Sequence, residues 1–441
     1  MDKNNGAIYD ARKLGKPKMI ILGVQHMFAM FGATILVPIL TGLDISTTLL
    51  MAGLGTLLFH CITKFKVPAF LGSSFAFLGG YAAIKAFSPN DPNSMLPYAC
   101  LGVACAGLIY FILAAVIKAV GIEKVMRFFP PVVTGPIIIA IGLGLAPSAV
   151  SNCTTNWFLA VVALAVIVVF NIWGKGMAKI IPIILGLLIS YGTGLVLYFI
   201  SQANPDLIQN VPWLFSGGAD ANGVYQPIFD FTSLNTICDN ISKGHIFGSE
   251  GLIGIPIHWD KTVFGGIDYS NGALIASSII AIVPIAFATM MEHIGDICAI
   301  SSTTGNNYIK DPGLHRTLVG DGLATTLASL FGGPANTTYG ENTGVLALTR
   351  VYDPRVIRIA AYFAVAVSFF PIVSVIIGSI PSCIIGGISF VLYGMISAIG
   401  VRNVVENKVD FTKSRNLIVA AVILVCALGL SSDTVSFTIG S

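Results

Sequence analysis

Two stretches decide the fold: Val67-Pro68-Ala69-Phe70-Leu71-Gly72-Ser73-Ser74-Phe75-Ala76-Phe77 and Pro334-Ala335-Asn336-Thr337-Thr338-Tyr339-Gly340-Glu341-Asn342-Thr343-Gly344. Each has a Pro at or beside its start, passes through residues that favour extended backbone, meets a Gly, and then enters an apolar helical run. Pro blocks helical hydrogen bonding and biases the residue before it toward extended conformations. Both stretches lie among long apolar segments. Backbone at membrane depth must be satisfied internally, so a non-helical stretch survives there only inside protein or beside a cavity. Each therefore reads as a short strand followed by a half-helix, with the two strands pairing antiparallel at the midplane. The half-helix N-termini then turn free N–H groups and positive dipole ends toward the space between them. Ser73 and Ser74 on one side, and Gly340 and Asn342 on the other, suit that role.

Composition sets the surroundings. Charged residues are 10% of the 441 and hydrophobic ones 55%, with a mean hydropathy of +0.84. A soluble chain carries about 25% charged residues, so a soluble enzyme, a disordered protein and a nucleic-acid binder are excluded. A bilayer core takes roughly 20 apolar residues per helix. Clear spans run near 19–41, 46–63, 97–120, 131–150, 156–173, 180–200, 272–299, 315–331, 356–380, 382–400 and 414–431. The interrupted stretches, 68–87 and 336–350, bring the expected count to thirteen crossings. With a cytoplasmic N-terminus, only Lys85, Lys243 and Lys261 among the 24 Lys and Arg fall outside, which is the positive-inside pattern. Dropping either interrupted stretch scrambles that asymmetry. The interrupted stretches are then crossings 3 and 10, seven apart. An odd offset reverses direction, the mark of an inverted repeat.

The polar region 201–271, with Trp213, Trp259 and Tyr269 as interfacial anchors, falls outside and is read as an insert with short strands. The first 18 residues are polar and basic, and no signal peptide is read there. The eight Cys form no close pair of metal-binding type; six lie in apolar runs, and only Cys153 and Cys238 fall in expected loops.

Four carboxylates sit within apolar runs: Glu292, Asp296, Asp321 and Glu341. Each costs about 2.5–3.5 kcal/mol at a helix centre, and no Lys or Arg lies deep enough to pair with them. Protonation, a ligand's hydrogen bonds or a cation remain as reasons for their presence. Glu292 and Asp296 are four apart and share a helix face. Glu341 opens the second half-helix, where the dipole favours its charge. Asp321, between Gly320 and Gly322, suits a relay or a packing hydrogen bond. His26, behind Gln25 on the first span, is placed to share a proton with one of the acids, whereas His60 reads as a core group. His293 points about 100° away from Glu292 and is set aside. HExxH and HxxEH are both absent, so no metal and no cofactor are expected.

These segments resemble the nucleobase–ascorbate transporter family, and within it the bacterial uracil permease branch. The resemblance is carried by Glu341-Asn342-Thr343-Gly344-Val345-Leu346-Ala347-Leu348-Thr349-Arg350 after Thr337-Thr338-Tyr339-Gly340, and by Gly72-Ser73-Ser74-Phe75-Ala76-Phe77. Gln25-His26-Met27-Phe28-Ala29-Met30-Phe31-Gly32-Ala33-Thr34 and Asp311-Pro312-Gly313-Leu314-His315-Arg316 add to it. It runs from about residue 19 to 431. It implies an all-α polytopic membrane fold, a 7+7 inverted repeat with a substrate-carrying core and a gate that slides against it, often as a homodimer. In that scheme 1–18 is a cytoplasmic N-terminus, and 19–120, 272–350 and 356–380 are core. Residues 131–200 and 382–431 are gate, 201–271 is the external insert, and 432–441 is a truncated end without the fourteenth helix.

The family's substrate contacts map onto the Glu292 and Glu341 side chains and onto backbone at Phe75 and Gly340, with Ser74 nearby and Ala33 and Tyr339 lining the pocket. Asp296 stands where the uracil permease branch carries His. The implied activity is proton-coupled uracil uptake across the cytoplasmic (inner) membrane, with Glu292, Asp296, Asp321 and His26 as candidates for handling the proton. Uracil offers two N–H donors and two carbonyls on a flat ring, so carboxylates and half-helix amides complement it. The alternatives are a purine (xanthine or urate) symporter on the same fold and, from another class, an anion transporter or channel. Buried acids without buried bases count against the anion.

Overall fold

Short side chains start several of the membrane helices. Asp44 accepts from the Thr47 N–H at 2.7 Å, Asn271 from that of Leu274 at 3.2 Å, and Asp353 from that of Arg355 at 2.9 Å. Each supplies an acceptor to an orphan amide of the first turn. The computed structural model describes residues 7–127, 130–179 and 181–430. The expected C-terminal end at 432–441 and residues 1–6 of the N-terminal segment lie outside the described residues.

The chain divides into two compact units. The first runs through Ala119 and takes in Val169–Leu185 and Asp230–Ile380; the second comprises Val120–Val168, Gly186–Phe229 and the chain from Pro381 onward. The first unit holds α1 (Lys16–Thr41), α2 (Ile45–Ile62), β1 (Leu71–Ser73), α3 (Leu78–Lys85) and α4 (Leu96–Val120, to its penultimate residue). The second holds α5 (Pro131–Cys153), most of α6 (Trp157–Trp173) and most of α7 (Pro182–Ala203), followed by β2 (Ser216–Ala219) and β3 (Tyr225–Pro227). The chain then returns to the first unit with α8 (Thr232–Ser242), α9 (Gly272–Ile282), α10 (Ile285–Thr304) and α11 (Leu314–Leu330). The same unit continues with β4 (Asn336–Thr338), α12 (Gly340–Thr349), α13 (Pro354–Ser368) and α14 (Pro371–Gly378). α15 (Ser382–Glu406) and α16 (Ser414–Leu430) complete the second unit.

In the first unit, α2 lies along α13 and α11, and α4 meets α11 through two facing glycines. A Cβ on Gly322 would lie 2.6 Å from the Gly107 carbonyl oxygen, so only glycine permits this approach. In the second unit, α15 runs along α5. There Ser397 Oγ donates to the Ile139 carbonyl at 3.1 Å and Asn403 Nδ2 to Thr134 Oγ1 at 2.9 Å. The β2–β3 hairpin is anchored by Asn156 Nδ2, which donates to the Ser216 carbonyl at 2.9 Å. All eight cysteines are free.

Among the described residues, seven helices are long and apolar enough to cross a membrane, and an eighth span comes from a bent pair. The expected crossings at 156–173, 315–331 and 414–431 are helices of 17 residues each. At 1.5 Å per residue that is roughly 25 Å, short of the ~30 Å core. The expected crossing at 356–380 is not straight: α13 and α14 meet at 87° across Phe369–Phe370, where Pro371 cannot extend the helix before it. The stretches at 68–87 and 336–350 are each a three-residue strand and a short helix, and these strands pair antiparallel with Leu71 opposite Thr338, Gly72 opposite Thr337 and Ser73 opposite Asn336.

Candidate functional site

Three-residue strands cannot satisfy their own backbone, so neighbouring helices do it. The ladder is lengthened at both ends, by the Ser74 N–H to the Ala335 carbonyl at 2.8 Å and the Tyr339 N–H to the Phe70 carbonyl at 2.9 Å. On the α2 side, Thr56 Oγ1 accepts from the Leu71 N–H at 2.9 Å, His60 Nε2 lies 2.9 Å from the Ala69 carbonyl, and Asn336 Nδ2 donates to the Met51 carbonyl at 2.8 Å. On the α11 side, Thr325 Oγ1 donates to the Asn336 carbonyl. Irregular backbone is thus held entirely inside protein, the condition under which it is tolerated at membrane depth.

Tyr339 fastens the two strands to α1. Its hydroxyl donates to the Ser73 carbonyl at 2.8 Å and accepts from Thr34 Oγ1 at 3.4 Å, and Ser73 Oγ donates to the Thr34 carbonyl at 3.1 Å. The ring lies over Gly72, where a Cβ would come 2.5 Å from Cε2. Tyr339 is buried with Met27, Met30, Phe70 and Ile357, and half-buried Phe75 packs against that cluster. Ser74 is buried, and its hydroxyl has no partner among the described residues.

Among the described residues, the N-cap of the second half-helix α12, Tyr339, makes no side-chain capping hydrogen bond. The first residue of the helix, Gly340, is exposed, and a Cβ there would lie 3.1 Å from Asp296 Oδ1. Asp296 of α10 therefore stands beside the positive end of α12. Glu292, one turn earlier on the same face of α10, is exposed, while Asp296 is partly buried. Ala33 and Glu341 lie on α1 and α12, and their side chains are outside the described set. Asp321 is fully buried on α11 and accepts from Thr338 Oγ1 at 3.3 Å. His26 is fully buried with neither ring nitrogen hydrogen-bonded among the described residues.

Unpaired buried polar atoms concentrate here. Gln25 and His26 on α1, Thr337 on β4, and Asn342 and Thr343 on α12 all carry polar atoms with no partner among the described residues. Buried polar groups are normally satisfied, so a run of exceptions on elements that adjoin one another marks a place for a ligand or water. A ligand lying at the α12 N-terminus would meet bare amides at one end and carboxylates from α10 at the other. The structure thus brings Gly340 and Asp296 together, ties Tyr339 to Ser73 beside Ser74, and ties Asp321 to β4.

His293 is not among the residues that the sequence pattern selects. It is fully buried, with Nδ1 2.9 Å from Thr338 Oγ1 and 3.5 Å from Asp321 Oδ1. The 100° turn that carries it away from Glu292 carries it toward β4, which was the only signal available. Among the described residues no three His, Cys, Asp or Glu side chains gather closely enough to hold a metal.

A profile of the permease family matches residues 17–435. The chain belongs to this family, the nucleobase–ascorbate transporters. Among its relatives in the family, a uracil permease of Bacillus caldolyticus is 39% identical, with 93% of this chain and 85% of that protein covered. A uracil permease of Bacillus subtilis (strain 168) is 38% identical with the same coverage. Among solved structures, the transmembrane domain of the cyanobacterial bicarbonate transporter BicA matches with a TM-score of 0.65 at 12% identity, over 96% of this chain and 98% of that one. At that identity the likeness concerns the fold. Family membership and the apolar helices make this a multi-pass membrane transporter.

Proposed function

We propose that this permease takes up uracil together with a proton across the cytoplasmic membrane, with its N-terminus inside. The observation that carries the proposal is the uncapped start of α12 at exposed Gly340, with the Asp296 carboxylate beside it and Glu292 one turn away. Bare amides donate to uracil's carbonyls, and carboxylates accept from its N–H groups. Phe75 and Tyr339 form the apolar flank, with Ser74 and Ala33 beside them, and Glu341 supplies a third acid. A pocket with several acids and one neutral guest is more stable when one acid holds a proton. Glu292, Asp296 and Asp321, with His26 behind them, are the groups assigned to that proton.

The first unit is the core that carries the substrate and the second is the gate, in a 7+7 inverted repeat that works as an elevator. The relatives named uracil permeases, at 39% and 38% identity, support uracil over a purine. So does an acid at 341, where purine-transporting members often carry Gln or Asn. Purified protein in liposomes tests the reading. Labelled uracil uptake is expected to rise as external pH falls, to collapse with a protonophore, and to be competed by uracil and not by xanthine. Uptake indifferent to both pH and protonophore would end the proton reading, and xanthine competing as well as uracil would end the pyrimidine one.

A further inference from the structure

His293, Thr338 and Asp321 form a chain of hydrogen-bonding groups, of which only Asp321 has so far been given a part, in handling the proton. The three side chains come from α10, β4 and α11, and they are 0%, 1% and 0% exposed. His293 Nδ1 is 2.9 Å from Thr338 Oγ1, and Thr338 Oγ1 is 3.3 Å from Asp321 Oδ1. A hydroxyl has one proton to give. Thr338 donates it to the carboxylate, so its oxygen accepts from the imidazole, and the donor must be Nδ1–H. With Asp321 ionised, the direction of the chain is His293 to Thr338 to Asp321. The face of α10 that carries His293 is itself pinned, because Tyr110 of α4 donates to Thr289 Oγ1 at 2.7 Å, one turn earlier. The imidazole packs edge-on against Phe59 of α2 with ring centres 6.3 Å apart. Thr338 Oγ1 is the nearer acceptor for Nδ1–H, with Asp321 Oδ1 at 3.5 Å.

Thr338 is the last residue of β4, and Gly340, the first residue of α12, follows two positions later. Whatever holds Thr338 also holds the amides that face the ligand. We infer that His293 is a positioning residue of the uracil site: its Nδ1–H, acting through Thr338 on Asp321, locks β4 and so fixes where the α12 N-terminus lies. The inference takes its ligand from the proposed function, but its geometry stands without it. Glu292 and His293 then divide one helix turn between them, the first facing the ligand and the second fastening the strand that presents the amides.

The test is uracil uptake into liposomes by the purified full chain, with KM and maximal rate measured separately. Saturable uptake by the unmodified protein comes first, and its absence would remove the transport reading without touching this one. Asn places its amide N–H where Nδ1–H lies, and Gln places it where Nε2 lies. His293→Gln and Thr338→Val are expected to raise KM about tenfold, the effect of leaving a buried partner unsatisfied, with the larger change in KM and not in maximal rate. His293→Asn and Thr338→Ser keep a donor or a hydroxyl in place and are expected to stay within about threefold of the unmodified KM. Unchanged KM in His293→Gln and Thr338→Val would overturn the inference. So would a His293→Asn protein as impaired as His293→Gln, since the ring and not its donor would then matter. If the His293 variants do not fold, the Thr338→Val and Thr338→Ser pair decides alone: equal KM values refute the lock, and a tenfold separation supports it.

Discussion

The two broken segments share a plan and differ in content. After β1 the chain spends Ser74–Phe77 in a turn, with the Leu78 N–H bonded back to the Phe75 carbonyl, before the eight residues of α3 begin. After β4 only Tyr339 intervenes, and α12 starts at once with no side-chain cap from Tyr339. The first segment has its backbone tied to α2, α1 and β4, and its unpartnered side-chain atoms among the described residues are Ser74 Oγ and Tyr81 Oη. The second carries Asn336, Thr337, Asn342 and Thr343, each with at least one unpartnered atom among the described residues, and it neighbours the α10 acids. On the proposed reading the first segment is mainly a frame, and the second presents the chemistry.

The comparison breaks most plainly at the acids. Glu292→Gln and Glu341→Gln are expected to weaken uracil binding at least about a hundredfold, the scale of losing a charged hydrogen-bond partner, as read by a binding isotherm. Retained affinity in both would mean that the second segment is not the reader. Asn342→Leu against Ser74→Ala sharpens the contrast at the next level. The first should cost about tenfold in uracil affinity and the second about twofold; equal losses would erase the division of labour.

Two glycines test frame against reader directly. A Cβ on Gly72 meets the Tyr339 ring at 2.5 Å and Thr34 Oγ1 at 2.6 Å, all fixed groups. Gly72→Ala should therefore lower thermal stability by about 1–3 kcal/mol. Among the described residues a Cβ on Gly340 meets only the end of Asp296, at 3.1 Å. Gly340→Ala should change ligand-free stability by less than about 1 kcal/mol while raising the uracil KM, because it displaces a carboxylate.

The smallest effect lies at the far end of the second segment. The N-terminal strap reaches it through the Ile8 N–H to the Arg350 carbonyl at 2.8 Å and the Asp10–Arg355 pair at 2.9 Å. The hydrogen bond from Arg12 holds the Asp10 carboxyl down to about 2, with the charge of Arg355 adding to it, against an ordinary 3.8. A depressed carboxyl contributes stability that is complete above 3.8 and is lost as pH falls through about 2, so nothing should change across neutral pH. Asp10→Asn should raise amide exchange at Ile8 and Ala11 by no more than about threefold, as for an exposed pair. A larger rise would make the strap part of the second segment's support.

The frame was legible because Pro68 and Pro334 interrupt apolar runs that otherwise read as helix, and the acids because nothing in an apolar run excuses them. The insert at 201–271 was legible as polar sequence, and its short strands are the β2–β3 hairpin. The 87° bend was not legible: Phe369-Phe370-Pro371 sits inside an unbroken apolar run, where hydropathy hides the one residue that breaks the helix. His293 was hidden for another reason. Helical spacing states that it faces away from Glu292, but what lies opposite depends on β4, 45 residues further along.

The pairing of Leu71–Ser73 with Asn336–Thr338 also sets an order on biosynthesis. The earlier strand enters the bilayer long before its partner has left the ribosome, with its peptide groups waiting on sequence still to be translated. Loop closure over such a separation is slow compared with forming a local helix. Nascent chains halted before Asn336 should therefore hold Leu71–Ser73 in a solvated or chaperoned state, and a translocation machine that shelters this segment would matter more for this protein than for one built from uninterrupted helices.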